Sequence, residues 1–193
     1  LINLGNIQQA ILDTIVICTP THFTSIAISG ACAVASAVAN AMLPHATIQS
    51  IIENGKIGAD EGRKYGNVWL GASISKRIDL AIQIVEKEND VYEKIIDLYD
   101  IIGSTLSPSE SVPSAFGIFA LAEGDPMTCA RYAAALSGDA DTVAAMACAI
   151  AGAWKGIDSI PTDIKNTIEK VNKDYNFYET AKGIVQFIEE RNA

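Results

Sequence analysis

The sequence predicts an all-α fold, a compact multi-helix domain of about nine helices joined by short turns, and three observations carry that prediction. No stretch alternates apolar and polar residues with the period of two that a half-buried strand requires. Apolar side chains recur instead at helical spacing along most of the chain. Two long runs, residues 25–43 and 143–153, consist mainly of small side chains, and the second carries no charge on any face. A helix that is apolar all round is expected to be buried, so both runs read as buried helices with close neighbours.

Composition bounds the rest. The 193 residues suffice for a single all-α domain, 1–193, with a real core. The chain is 49% hydrophobic with mean hydropathy +0.22, much of it from Ala and Ile in helical patterns. The net charge is −9, and Lys and Arg form no stripe or cluster with aromatics, so no nucleic-acid partner is expected. Cys18, Cys32, Cys129 and Cys148 lie scattered in apolar segments with no Cys-x-x-Cys pair. They read as small buried thiols of a reducing, cytoplasmic setting. The 25–43 run is long enough to raise a membrane span, but Ala, Ser and Asn40 dilute it and basic flanks are missing, so no membrane is expected. The chain opens Leu-Ile-Asn-Leu without Met or a signal pattern and reads as part of a longer one.

In chain order, helical spacing runs from Asn6 to Ile17, and Thr19-Pro20 closes it. Thr21-His22 precedes the helix from Ser25 to Leu43. A short helix over Thr47 to Asn54 is followed by the Gly-rich, charged segment 57–69, which reads as a surface loop. An amphipathic helix spans Ile74 to Lys87, and another spans Val91 to Ile101 behind an Asn89-Asp90 cap. The dense turn chemistry of 103–113 leads to an apolar helix capped by Ser111, with Pro113 in its first turn. Gly124-Asp125-Pro126 starts the helix that reaches Leu136. Two amphipathic helices, Thr162 to Asp174 and Tyr178 to Glu190, end the chain.

The chemistry concentrates at Gly138-Asp139-Ala140-Asp141-Thr142, the start of the small-residue helix that ends at Lys155-Gly156. Asp139 stands where a carboxylate caps backbone N–H groups and meets the positive end of the helix dipole. On spacing alone Asp-x-Asp-Thr is ordinary cap chemistry. Equally, Asp139, Asp141 and Thr142 place three oxygens within one turn, the hard donors that Mg²⁺, Mn²⁺ or Ca²⁺ prefer. His22 alone reads as a structural or surface histidine, and Leu106 alone reads as a core residue in an interhelical loop.

The stretch GDADTVAAMACAIAGAWKGIDSIP (138–161) resembles the C-terminal signature of the ADP-ribosylglycohydrolase family, the dinitrogenase-reductase-activating glycohydrolase and J1 crystallin type. Thr21-His22 before a small-residue helix and Gly103 followed by Glu110-Ser111-Val112-Pro113 are similar to further family patterns. The resemblance runs from about Thr21 to Pro161 and more weakly outside. It implies an all-α hydrolase with a pair of Mg²⁺ ions, replaceable by Mn²⁺, at the bottom of a cleft. Such an enzyme cleaves the glycosidic bond between ADP-ribose and an acceptor on a protein or a small molecule. By the same resemblance Asp139, Asp141 and Thr142 are metal ligands, His22 holds ADP-ribose and Leu106 walls the site. Ser137 stands where the family has Gly, Ala135 where Asn is common and Cys148 where a helix Gly is usual. The family's other metal ligands come from a Gly-Asp-x-x-Gly turn and a Thr-Asp-Asp-Thr run, and this sequence has neither. They are expected from an N-terminal segment in cis or on another chain. The alternatives are a non-catalytic relative, binding ADP-ribose or structural like the crystallins, and an acidic all-α interaction module in which the turn is only a cap.

Overall fold

The structure, a computed structural model, describes residues 1–192. Among them are ten α-helices and no strand: α1 Ile7–Cys18, α2 Ser25–Ala41, α3 Ile48–Gly62, α4 Ile74–Val85, α5 Val91–Asp97, α6 Pro108–Leu121, α7 Pro126–Leu136, α8 Ala140–Lys155, α9 Thr162–Val171 and α10 Phe177–Asn192. A π-helical turn, Leu98–Ile102, continues α5, and a short 3₁₀ turn, Ile157–Ser159, follows α8. No helix among the described residues is long and apolar enough to cross a membrane.

Local chemistry sets most of the helix starts. Asn6, Thr24, Thr47, Ser73, Asp90 and Asp125 each accept a backbone N–H of the first turn, and each such cap contributes about 1 kcal/mol. The core gathers between α2, α3, α4, α6, α7 and α8, with Phe116, Phe119, Ile51, Ile74, Ile78 and Leu98 fully buried. Burying a side chain of this size contributes about 1.5–3 kcal/mol.

Three expectations are corrected here. The segment 57–69 is not all loop, because α3 runs on to Gly62. Gly58 faces α2 so closely that a Cβ there would strike the Cys32 carbonyl and the Ser36 hydroxyl. The glycine serves packing, and burial outweighs its poor helix propensity.

The helix after the 103–107 turn starts at Pro108, not after a Ser111 cap, so Ser111 and Pro113 lie inside α6. Ser107 is extended and Pro108 takes the first helical position, where proline's fixed φ is already suitable. Pro113 cannot donate to the Ser109 carbonyl four residues back. The Arg77 guanidinium on α4 donates there instead, at 2.7 Å.

Finally, α8 is not buried all round. Val143, Ala147, Ile150 and Ala151 face the core, while Ala145 and Ala149 are exposed. A methyl group costs little when left in water, so a small-residue face does not compel burial. The enclosed helices are α2 and α6. Trp154 fixes the far end of α8. Its indole N–H donates to the Ala46 carbonyl at 3.1 Å, its ring meets Phe119 edge-on at 6.2 Å, and the Lys155 ammonium lies 3.8 Å from its centroid.

Candidate functional site

The acidic turn is built by its backbone. Ser137 has φ +70° and ψ −171°, and Gly138 has φ +67°. Two left-handed residues in succession swing the chain from α7 into α8. Gly138 allows no side chain, because a Cβ there would strike the Ser104 carbonyl oxygen. The Asp139 N–H donates to that same carbonyl at 2.7 Å, and the Ser104 hydroxyl donates to the Ser137 carbonyl at 3.0 Å. The turn carrying Leu106 is thereby tied to the turn carrying Asp139.

The expected role of Asp139 as a side-chain cap is corrected. It occupies the cap position of α8, but its carboxylate accepts no backbone N–H. It accepts the Thr142 hydroxyl instead, at 2.9 Å. Asp141 and Thr142 are exposed in the first helical turn. The donor set is all oxygen, two carboxylates and a hydroxyl, and its chemistry fits a hard divalent cation. Among the described residues no group of three or more His, Cys, Asp or Glu is arranged to hold a metal ion.

Beside the turn lies a cavity of about 530 Å³ between α2, α6 and α8, within the range of roughly 300–1,000 Å³ that small-molecule sites occupy. His22, Leu106 and Thr142 all line it. Of the site residues named on sequence grounds, His22, Leu106 and Thr142 meet at this cavity and Asp139 joins them through its bond to Thr142, whereas Asp141 does not line it. Leu106 is not a core residue, since it is 86% exposed at the tip of its turn. The His22 Nδ1 lies 2.8 Å from the Thr21 hydroxyl, just ahead of the Thr24 cap of α2.

Cys18, Val112 and Met146 also line the cavity, and sequence reasoning did not single them out. The small side chains of α2 were the available signal, because Ala27, Ala31, Val34 and Ala35 leave the volume that these larger groups surround. Burial pushes the Cys18 thiol above its ordinary value, so it is neutral near pH 7 and is no thiolate nucleophile.

The model for ADP-ribosylglycohydrolases matches residues 2–192. The chain belongs to the ADP-ribosylglycohydrolase family. Among curated relatives, the uncharacterized protein YegU of Escherichia coli (strain K12) is 31% identical over 189 residues, covering 97% of this chain and 56% of YegU. The ADP-ribosylhydrolase ARH3 of Danio rerio is 46% identical over 68 residues, 35% of this chain and 16% of ARH3. The chain thus spans little more than half the length of the first of these relatives. Family membership agrees with the all-α architecture and with the signature at 138–161.

Proposed function

We propose that this chain is part of a divalent-metal-dependent hydrolase that cleaves the glycosidic bond between ADP-ribose and an acceptor, such as a modified protein side chain or a small molecule. The observation that carries the reading is one of place. His22, Leu106 and Thr142, far apart in sequence, line one cavity, and the Asp139 carboxylate is bonded to the Thr142 hydroxyl. Asp139, Asp141 and Thr142 would hold Mg²⁺ or Mn²⁺, with further ligands from outside this turn. The bound cation would orient ribose hydroxyls and acidify water at the scissile bond. The chain's own part is to aim the oxygens, hold ADP-ribose between His22 and Leu106, and keep water from the apolar end of the cavity. Family membership and the named activity of the ARH3 relative support the reading.

The test is release of ADP-ribose from ADP-ribosylated arginine and serine peptides by the complete protein in Mg²⁺. Asp139→Ala is expected to lower turnover by more than the roughly 10–100-fold that loss of an outer-shell partner costs. Unchanged turnover and unchanged metal dependence would refute the reading. A second reading, a non-catalytic ADP-ribose binder or structural relative, is favoured by the small number of carboxylates on the turn. Binding of ADP-ribose without turnover in the complete protein would establish it.

A further inference from the structure

We propose that Ser104 is a positioning residue that locks the acidic turn and the Leu106 turn into one rigid unit. The inference rests on the reading of Asp139, Asp141 and Thr142 as cation donors given above. Ser104 touches neither cation nor ADP-ribose in that reading. It is 2% exposed, and it reaches across the fold twice. Its hydroxyl donates to the Ser137 carbonyl at 3.0 Å, and its carbonyl accepts the Asp139 N–H at 2.7 Å. These two bonds bracket Gly138, the residue with no room for a Cβ beside Ser104.

The acidic turn draws on this external hold because no side chain caps the start of α8. The Asp139 carboxylate is engaged with Thr142 and caps no backbone group. The direction of the Asp139 side chain is set by the Thr142 hydroxyl and by its own backbone, and Ser104 holds that backbone. Ser104 is itself anchored. The Ser114 hydroxyl donates to the Gly103 carbonyl at 2.7 Å, and the Gly103 N–H closes the π-helical turn on the Leu98 carbonyl at 3.1 Å. Beyond Ser104, the Thr105 hydroxyl donates to Glu110 at 2.7 Å, and the Ser107 N–H donates to the Thr105 hydroxyl at 3.2 Å. Leu106 thus stands on a turn clamped from both sides. A shift of Ser104 moves the wall of the cavity and the cation donors together.

The experiment uses the complete protein, ¹⁵N-labelled, and Mn²⁺, followed through paramagnetic broadening and amide exchange. Ser104→Ala is expected to weaken Mn²⁺ binding about tenfold, the scale seen when an outer-shell partner is lost, and to speed exchange of the Asp139 N–H. Ser75→Ala serves as the comparator. It removes a buried α4 hydroxyl that donates to Asp60 on α3 at 3.1 Å, and it should lower Tm while leaving both readouts unchanged. Ser104→Ala with native Mn²⁺ affinity and native Asp139 exchange would overturn the proposal. If that variant does not fold, Ser104→Cys keeps the volume with a weaker donor and is read the same way. Absence of Mn²⁺ broadening at 139–142 in the unsubstituted complete protein would overturn the cation assignment itself, and it is told apart because it needs no substitution.

Discussion

Ser137 is the residue under most evident strain. Its φ of +70° with ψ −171° lies in a region that glycine enters freely and other residues enter at a cost of about 1–3 kcal/mol. The serine is held in this conformation by the Ser104 hydroxyl, which donates to its carbonyl. Ser137→Gly should relieve the strain, less the extra chain entropy that glycine gives the unfolded state. The expected net gain is about 1 kcal/mol, or roughly 2–4 °C in Tm for a chain of this size. Calorimetry decides it, and a lower Tm would mean that the serine side chain contributes more than the backbone loses. At this scale much of the candidate site was legible. Asp139, Asp141 and Thr142 announce themselves as oxygens within one turn, and His22 and Leu106 through resemblance. Ser104 was not legible, because one of its two links is a backbone carbonyl, which every residue has.

Among the elements, α6 depends on a substitution of one donor for another. Pro113 leaves the Ser109 carbonyl without its helical partner, and Arg77 from α4 supplies a charged donor at 2.7 Å. Arg77→Met should cost about 1.5–3 kcal/mol, since hydrogen bonds to charged groups are the stronger ones and the acceptor is left in a buried residue. Adding Pro113→Ala restores a backbone N–H to the same carbonyl and should recover about 1 kcal/mol of that loss. Urea unfolding of the two single variants and the double variant measures the coupling, and strictly additive losses would refute the account. The arrangement explains why the start of α6 was misread. A proline six residues into a helix reads as a first-turn residue unless the compensating donor, 36 positions earlier, is known. The glycines of α3 misled in the same way. Gly58 and Gly62 read as loop punctuation, whereas both serve the close approach of α2. The helices that were read correctly are those whose caps and apolar stripes are local.

For the whole molecule one lever is acid. The Thr128 hydroxyl, and then its backbone N–H, hold the Asp125 carboxyl below its ordinary range, and the Gln9 and Asn3 side chains do the same for Asp13. A carboxyl depressed in the folded state stabilises the fold above its unfolded pKa of about 4, and that contribution is lost as pH falls through the lower folded value. The net charge of −9 works the other way, because protonation relieves self-repulsion. Tm should therefore change little from pH 7 to about 5 and fall below about 4. Asp125→Asn should flatten that fall while lowering Tm at neutral pH. A parallel, merely shifted profile would show that Asp125 is not a source of the acid sensitivity.

At this scale the two tryptophans matter for a different reason. Trp69 is 65% exposed, whereas Trp154 is held against Phe119, Lys155 and the Ala46 carbonyl at the end of the helix that begins with the acidic turn. A water-borne quencher reaches the exposed Trp69 indole more readily than the partly buried Trp154. The emission that resists quenching is therefore weighted toward Trp154, and the protein carries its own optical label on the helix that bears the candidate cation donors.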